Sequence, residues 1–311
     1  MGRPLILASA PLAGARNRSA SGDLRRWRVL TLAPAVAIYL LLALLPIVNL
    51  LVMSVHDIRW EEGTARWTFV GLTHFAALPA DPLVRAGLLN TILFALFSVA
   101  AEMVIGFMLA VLVSRAIAGR GVYRTIFLLP ILIPGIVIGA IWKLMYNPDF
   151  GIINQALTAI GLPGRDWLGD GALAFPSVIV VDIWHWTPFV FLLLLAGIEA
   201  LPQDTYEAAR VDGASAWQEL RYVTLPMMLP TMAVTLIFRL VVSFKVFDEV
   251  YLLTGGGPGT ATEVVSFTIF RRFFTEDRAG YGSAISVIVL FLLALVIVLA
   301  IAPARRRMRE A

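Results

Sequence analysis

Two sets of polar residues in this chain have the types and spacing to do chemistry. The first comprises Asp182, Trp184, His185 and Trp186, together with Arg239, Lys245, Asp248 and Glu249, all set within otherwise apolar runs. A lysine and an acid four residues apart on a helix can pair, and tryptophan rings offer flat faces with a polar tip against which a sugar can stack. A metal centre does not fit, because zinc takes three or four ligands and no second histidine stands near His185. The second set is the stretch Leu201-Pro202-Gln203-Asp204-Thr205-Tyr206-Glu207-Ala208-Ala209-Arg210-Val211-Asp212-Gly213-Ala214 and its continuation to Pro230. Here Glu199, Asp204, Glu207, Asp212 and Glu219 face only Arg210 and Arg221.

Several chemistries drop out at once. The chain has no cysteine, which removes thiol catalysis, disulfides, zinc thiolates and iron–sulfur clusters. The run Thr254-Gly255-Gly256-Gly257-Pro258-Gly259-Thr260 does not have the spacing of a dinucleotide fingerprint. A phosphate loop needs Gly-Lys before Ser or Thr, whereas the only lysines, Lys143 and Lys245, follow Trp142 and Phe244. The run reads as a turn whose backbone can approach another surface closely. With no paired histidines and no serine–lysine arrangement inside an apolar run, no catalytic residue is assigned and the chain reads as a non-enzyme.

The elements that must position these residues are membrane helices. The chain has 311 residues, 59% hydrophobic and 15% charged, with a mean hydropathy of +0.83, far too apolar for a soluble domain. A spanning helix needs about 20 apolar residues, and six stretches qualify: 29–53, 88–113, 125–146, 175–198, 231–252 and 282–302. The expected fold is therefore all-α and integral to the membrane, with six transmembrane helices. Arg3, Arg16, Arg18, Arg25, Arg26, Arg28, Arg115, Arg120, Arg124 and Arg305 to Arg307 all fall on one side if both termini are cytoplasmic, as the positive-inside rule requires. The net charge of +4 is then a matter of topology, and no nucleic acid is implied. Residues 1–28 read as a basic, disordered cytoplasmic arm, 29–302 as one membrane domain and 303–311 as a basic cytoplasmic tail.

Between the spans, the loop 54–87 carries Trp60 and Trp67 with an Asp81-Pro82 turn, and Gly151 to Ile160 reads as a short helix stopped by Gly161. Lys245, Asp248 and Glu249 are expected on one face of the fifth span, with Lys245 pairing Glu249, and Arg239 nearer the cytoplasm. Asn90 and Glu102 read as interhelical hydrogen-bond partners. Pro34, Pro46, Pro130, Pro134 and Pro188 mark kinks, while Gly135 and Gly139 mark close packing.

The acidic stretch reads as a cytoplasmic hairpin over 201–230, between the fourth and fifth spans. Pro202 suits a first helical turn, Asp204 and Glu207 sit near its positive end, and Gly213 suits the left-handed residue after its last turn. Ser215 and Gln218 then form a capping box for a second helix. That helix is expected to expose Trp217, Leu220 and Arg221 and to stop at Leu225-Pro226. Surface helices lying on lipid favour lysine and arginine, so an acidic hairpin argues for a protein partner.

Glu207-Ala208-Ala209, Asp212-Gly213-Ala214 and Leu225-Pro226 resemble the EAA loop of permease subunits in binding-protein-dependent ABC importers. Phe247 to Pro258, followed by Thr262-Glu263, is similar to the carbohydrate-importer branch of that family, the one related to the maltose permeases. The resemblance runs from about residue 30 to the C-terminus. It implies that Glu207, Ala208, Ala209, Asp212 and Gly213 contact a separate cytoplasmic ATPase, with Leu225 and Pro226 setting the return into the fifth span. It also implies a second, homologous permease, two ATPase copies that use ATP and Mg, an extracytoplasmic solute-binding protein, a carbohydrate substrate and a bacterial inner-membrane location. The substrate path would then draw on Asp182, Trp184, His185, Arg239, Lys245, Asp248 and Glu249. The competing expectation is an ion-gradient-driven carrier, which would use an acid such as Asp248 for coupling and need no docking hairpin.

Overall fold

The computed structural model describes residues 17–61, 63–115 and 120–310. By internal contacts the chain divides into two units, Met1–Val52 and Met53–Ala311. The first is represented by helix α1 (Asn17–Ser54), which continues through Pro34 and Pro46. Its apolar part, Val29–Ser54, is 26 residues long, enough to cross a bilayer. Residues 17–28, expected to be disordered, are helical. The rest of the basic arm, 1–16, lies outside the described residues.

The second unit opens with an antiparallel hairpin, β1 (His56–Glu61) and β2 (Thr64–Phe69), where the sequence suggests an irregular loop. Its signal is short, with Ile58, Trp60, Trp67 and Phe69 alternating with polar residues. There follow α2 (Thr73–Ala77) and the long helix α3 (Pro82–Arg115), whose start is fixed by Asp81 accepting from the Leu83 N–H at 2.9 Å.

The third apolar stretch is not straight. Helix α4 (Arg120–Leu128) gives way to a 3₁₀ turn over Pro130–Leu132 before α5 (Gly135–Met145), and the two halves meet at 98°. Pro134 forces Ile133 out of the helical region, to φ −87° and ψ 128°, because its ring crowds the preceding residue. The halves nonetheless reach different levels: Phe127 packs on Phe191 at 5.5 Å, and the Tyr146 hydroxyl donates to the Ser177 carbonyl at 3.2 Å.

Helix α6 (Ile152–Ala159) is the expected short helix, ended by Gly161 at φ +80°. Helix α7 (Ala174–Glu199) runs through Pro188 and is the most buried of the spans, with 61% of its most apolar stretch inside the protein. It leads to α8 (Gln203–Val211) and the single turn α9 (Ala216–Gln218). Here the chain departs from expectation. A π-helical stretch over Glu219–Thr224 joins α9 directly to α10 (Leu225–Ser243), so the helix passes through Leu225-Pro226 instead of stopping. Pro226 cannot donate and its ring would meet the carbonyl four residues back, and the wider π turn before it relieves that conflict. The span is thus Ala216–Ser243, earlier than the expected 231–252.

After Ser243 the chain links through Phe244 to Phe247 into α11 (Asp248–Leu253), then α12 (Val265–Phe270), a second π stretch over Arg271–Thr275 and α13 (Ala279–Glu310). Asp248 and Glu249 fall in the first turn of α11, where helix N–H groups favour acids. The expected tail from 303 is therefore helical as far as Glu310.

Among the described residues, five helices are long and apolar enough to cross a membrane, with the bent pair as a sixth candidate. Glycines let them close. A Cβ on Gly106 would lie 2.8 Å from Val190, one on Gly197 2.7 Å from Thr231, and one on Gly139 2.8 Å from Leu252. One apolar cluster, with Ala110, Phe191, Leu194 and Met228, joins α3, α7 and α10 at the hairpin end. Another, with Phe94, Ile138, Val181, Val250 and Phe267, fills the other half.

Candidate functional site

The hairpin between α7 and α10 is built as its residue types require. Pro202 precedes α8, and Asp204 lies in its first turn. At the other end the Ala214 N–H donates to Ala209 at 2.9 Å and the Gly213 N–H to Arg210 at 3.0 Å, with Gly213 at φ +78°. These are the two bonds of a Schellman cap. The Ser215–Gln218 capping box forms as read. Arg210 pairs with Glu219 at 2.9 Å, and the Tyr206 and Thr224 hydroxyls are 3.0 Å apart, tying α8 to the π stretch. Outward the hairpin presents Glu207, Ala208, Asp212, Val211 (87% exposed) and Trp217 (68%). Leu220 is half-buried rather than exposed. Ala209 is half-buried, and Leu225 lies half-buried at the start of α10 with Pro226 exposed beside it.

The intramembrane set divides in two. Arg239 is fully buried: its Nε lies 2.5 Å from Glu102 Oε2, while Nη2 lies 2.6 Å from Glu102 Oε1 and 2.9 Å from Asp182 Oδ2. Its guanidinium stands 4.7 Å over the Trp186 ring. Among the described residues, Arg239 Nη1 has no hydrogen-bond partner. One arginine of α10 thus clamps carboxyls from α3 and α7. Glu102 is the interhelical partner that its type and place suggest. Arg239, expected on the substrate path, does not line the cavity beside it.

That cavity, of about 300 Å³, is lined by Gly135, Asp182, His185, Trp186, Val242, Lys245, Val246, Phe247, Asp248 and Glu249. His185 Nδ1 lies 3.0 Å from Glu249 Oε1, both buried. The expected Lys245–Glu249 pair does not form, because the helix ends at Ser243 and the two residues are not on one helical face. Lys245 and Asp248 instead stand exposed at the rim. Trp184 points elsewhere, edge-on to Trp142 at 5.6 Å, and Trp186 takes the place at the cavity. Gly135 and Asp248 explain why the wall is close: a Cβ on Gly135 would come within 2.9 Å of Asp248 Oδ2.

The glycine-rich turn folds back on its own chain. Gly256 at φ +85° packs on the buried Glu263, and Thr262 bonds to Thr254 at 2.6 Å and to the Gly257 carbonyl at 2.8 Å. Asn90 holds the segment to α3 by donating to the carbonyls of Thr260 and Glu263, each at 2.9 Å. Burial pushes the Glu263 carboxyl upward, against the lowering effect of the Thr268 hydroxyl and Arg271. Nearby, Asp81 accepts from Arg272 at 2.6 Å and from Tyr281 at 3.0 Å. Burial alone would raise the Asp81 carboxyl, but the bonds from Tyr281 and the Leu83 N–H and the Arg272 charge together hold it below its ordinary value.

Both ends of the bundle can now be placed. Val111, Ser114, Ile198, Glu199 and Thr224 line one cavity of about 380 Å³ under the hairpin, whereas the Asp81–Tyr281 bond joins the starts of α3 and α13 at the opposite end. With α3 and α7 running one way and α10 the other, α7 and α10 both connect the hairpin to the polar cavity. Among the described residues no group of acids and histidines could hold a metal ion.

Residues 102–309 match the family described as binding-protein-dependent transport system inner membrane component. The chain is 37% identical over 259 residues to the trehalose/maltose transport system permease protein MalF of Thermococcus litoralis, covering 83% of this chain and 87% of that protein. It also resembles a chain in the crystal structure of a bacterial ABC transporter involved in the import of the acidic polysaccharide alginate. There the TM-score is 0.80 and the identity 25%, over 93% of this chain and 99% of the other. The bacterial alginate ABC transporter in complex with an alginate pentasaccharide-bound periplasmic protein aligns at a TM-score of 0.79 and 25% identity, over 93% and 98%.

Proposed function

The chain belongs to the family of binding-protein-dependent transport system inner membrane components, and from that premise we propose that it is one permease subunit of an ATP-driven carbohydrate importer. The observation that carries the reading is the hairpin. It sets a short helix, closed by a Schellman cap and exposed on its outer side, one tight turn before a 28-residue helix (Ala216–Ser243) that contains the π stretch and ends at the polar cavity. At 1.5 Å per residue that helix is a lever of about 42 Å. Movement of the hairpin by an ATPase would tilt it and reshape the wall formed by Val242 to Glu249. This is how binding energy in one subunit biases access in another.

The remaining parts of the reading follow. The bent pair α4 and α5 counts as one broken span, giving six crossings with both termini and the 201–230 hairpin in the cytoplasm. Glu207, Ala208, Ala209, Asp212 and Gly213 form the ATPase contact, with Leu225 and Pro226 at the root of the lever. Asp182, His185, Lys245, Asp248 and Glu249, with Trp186, line half of a path completed by a second permease. Two ATPase copies use ATP and Mg²⁺, and a solute-binding protein delivers the sugar. Support for the substrate class comes from relatives whose names specify trehalose, maltose and alginate. The chain contributes no catalytic residue and works in the cytoplasmic membrane.

The test is co-purification. Glu207→Arg leaves the fold alone, since Glu207 is exposed, and is expected to reduce recovery of the ATPase with the permease. Unchanged recovery together with unchanged uptake would refute the contact.

A further inference from the structure

The β1–β2 hairpin has no part in the proposed path, yet its two faces differ sharply. Cross-strand partners share a face, so the pairing of His56 with Phe69, Ile58 with Trp67 and Trp60 with Ala65 makes one face apolar and aromatic. The other face holds Asp57, Arg59, Glu61, Thr64, Arg66 and Thr68. Its charges are matched, Arg59 with Asp57 at 3.0 Å and Arg66 with Glu61 at 3.4 Å. On the aromatic face only Ile58 is buried, while Trp60, Trp67 and Phe69 are 58%, 45% and 72% exposed.

The position of the hairpin identifies what covers that face. The chain enters β1 two residues after α1 ends at Ser54. The His56 carbonyl lies against Gly280, one residue inside the apolar span that begins at Ala279. The base of the hairpin therefore sits at the depth where α13 enters the hydrocarbon, and its exposed rings stand at the edge of the lipid-facing surface. Tryptophan is the residue type enriched at that boundary, where its ring is apolar and its N–H stays wet. A charged protein partner would find no unmatched charge on the polar face.

We propose that the β1–β2 hairpin is an interfacial anchor, with Trp60, Trp67 and Phe69 inserted among lipid acyl chains and headgroups at the membrane boundary opposite the coupling hairpin. The anchor fixes the outer end of α13 at its depth through the contact of His56 with Gly280. It does not depend on what the chain transports, because it concerns only where the aromatic face lies.

The chain has no native cysteine, so single labels can be placed directly. Spin labels attached through Phe69→Cys and, separately, Thr68→Cys report access to oxygen and to a water-soluble nickel chelate, in the full chain with its co-purifying subunits in phospholipid nanodiscs. The anchor requires an oxygen-to-nickel ratio severalfold higher for the label at position 69 than for the label at position 68. Equal ratios with both sites open to nickel would overturn it by placing the aromatic face in water. Low access of both reagents to the label at position 69 would overturn it equally, by placing the face against protein. A second measurement avoids labelling: lipid brominated near the headgroup should quench less of the emission in the double variant Trp60→Phe, Trp67→Phe than in the unaltered chain. An unchanged quenched fraction would also refute the anchor.

Discussion

Replacing Arg239 by Met removes the cation that, among the described residues, pairs with Glu102 and Asp182, and leaves a side chain of similar length against Trp186. The cost can be bounded from the structure. All three charged groups are almost wholly shielded from solvent, with side-chain exposures of 0%, 0% and 2%, and three short bonds converge on the guanidinium. Breaking a buried ion pair from one side costs about 3–5 kcal/mol, because the abandoned charge has neither water nor partner. At about 1.4 kcal/mol per factor of ten, that lowers the folded population ratio by roughly two to three and a half orders of magnitude. An ordinary hydrogen bond between membrane helices is worth only about 0.6 kcal/mol, so the two descriptions are well separated. Unfolding of purified protein in mixed micelles by increasing SDS fraction measures the difference. The triple variant Arg239→Met, Glu102→Leu, Asp182→Leu should recover most of the loss, since apolar replacement of a whole buried network is often neutral. A destabilisation below about 1 kcal/mol in the single variant, on the scale of an ordinary interhelical bond, would refute the clamp.

Two further outcomes follow from the same geometry. The Asp81 carboxyl is held below its ordinary value in the folded protein, so its contribution is present above the unfolded value of about 3.9 and fades as pH falls through the lower folded value. Thermal melting should therefore drop in that acid window, and Asp81→Asn should remove this part of the pH dependence; an identical acid profile in the variant would contradict the bond network. Lys245 and Asp248 are exposed at the cavity rim without an ion-pair partner among the described residues, so Lys245→Met and Asp248→Asn should change uptake while leaving the SDS midpoint within about 0.5 kcal/mol, as is usual for surface substitutions. Loss of stability equal to that of Arg239→Met would move them from path to scaffold.

What the sequence disclosed was what depends on neighbours in the chain. Four of the six expected spans, the Ser215–Gln218 box, the cap at Gly213 and the helix before Gly161 rest on local composition and spacing and appear in the structure, whereas the third stretch is a bent pair and the fifth lies nearer the hairpin than expected. The clamp could not be read that way, since Arg239 meets Glu102 and Asp182 across 137 and 57 positions. Apolar length alone carries the expected fifth span past Ser243, because no glycine or proline marks the break before α11. The same blindness explains the Lys245–Glu249 pair that does not form and the His185–Glu249 pair that does. Pro226 reads as a stop, yet a π stretch, which has no compositional signature, absorbs it. Pro134 does carry its warning, and the 98° bend sits beside it.

The proposed coupling role of the hairpin stands or falls with Gly213. No atom lies within 4 Å of a Cβ built there, so Gly213→Val adds no clash and acts only through the left-handed backbone, at a cost of about 1–2 kcal/mol for a non-glycine residue and more for a β-branched one. The decisive measurement is ATP-driven sugar uptake by proteoliposomes containing the assembled importer with Gly213→Val. The account predicts a permease that inserts normally and uptake that is abolished. Uptake at the unaltered rate would contradict it.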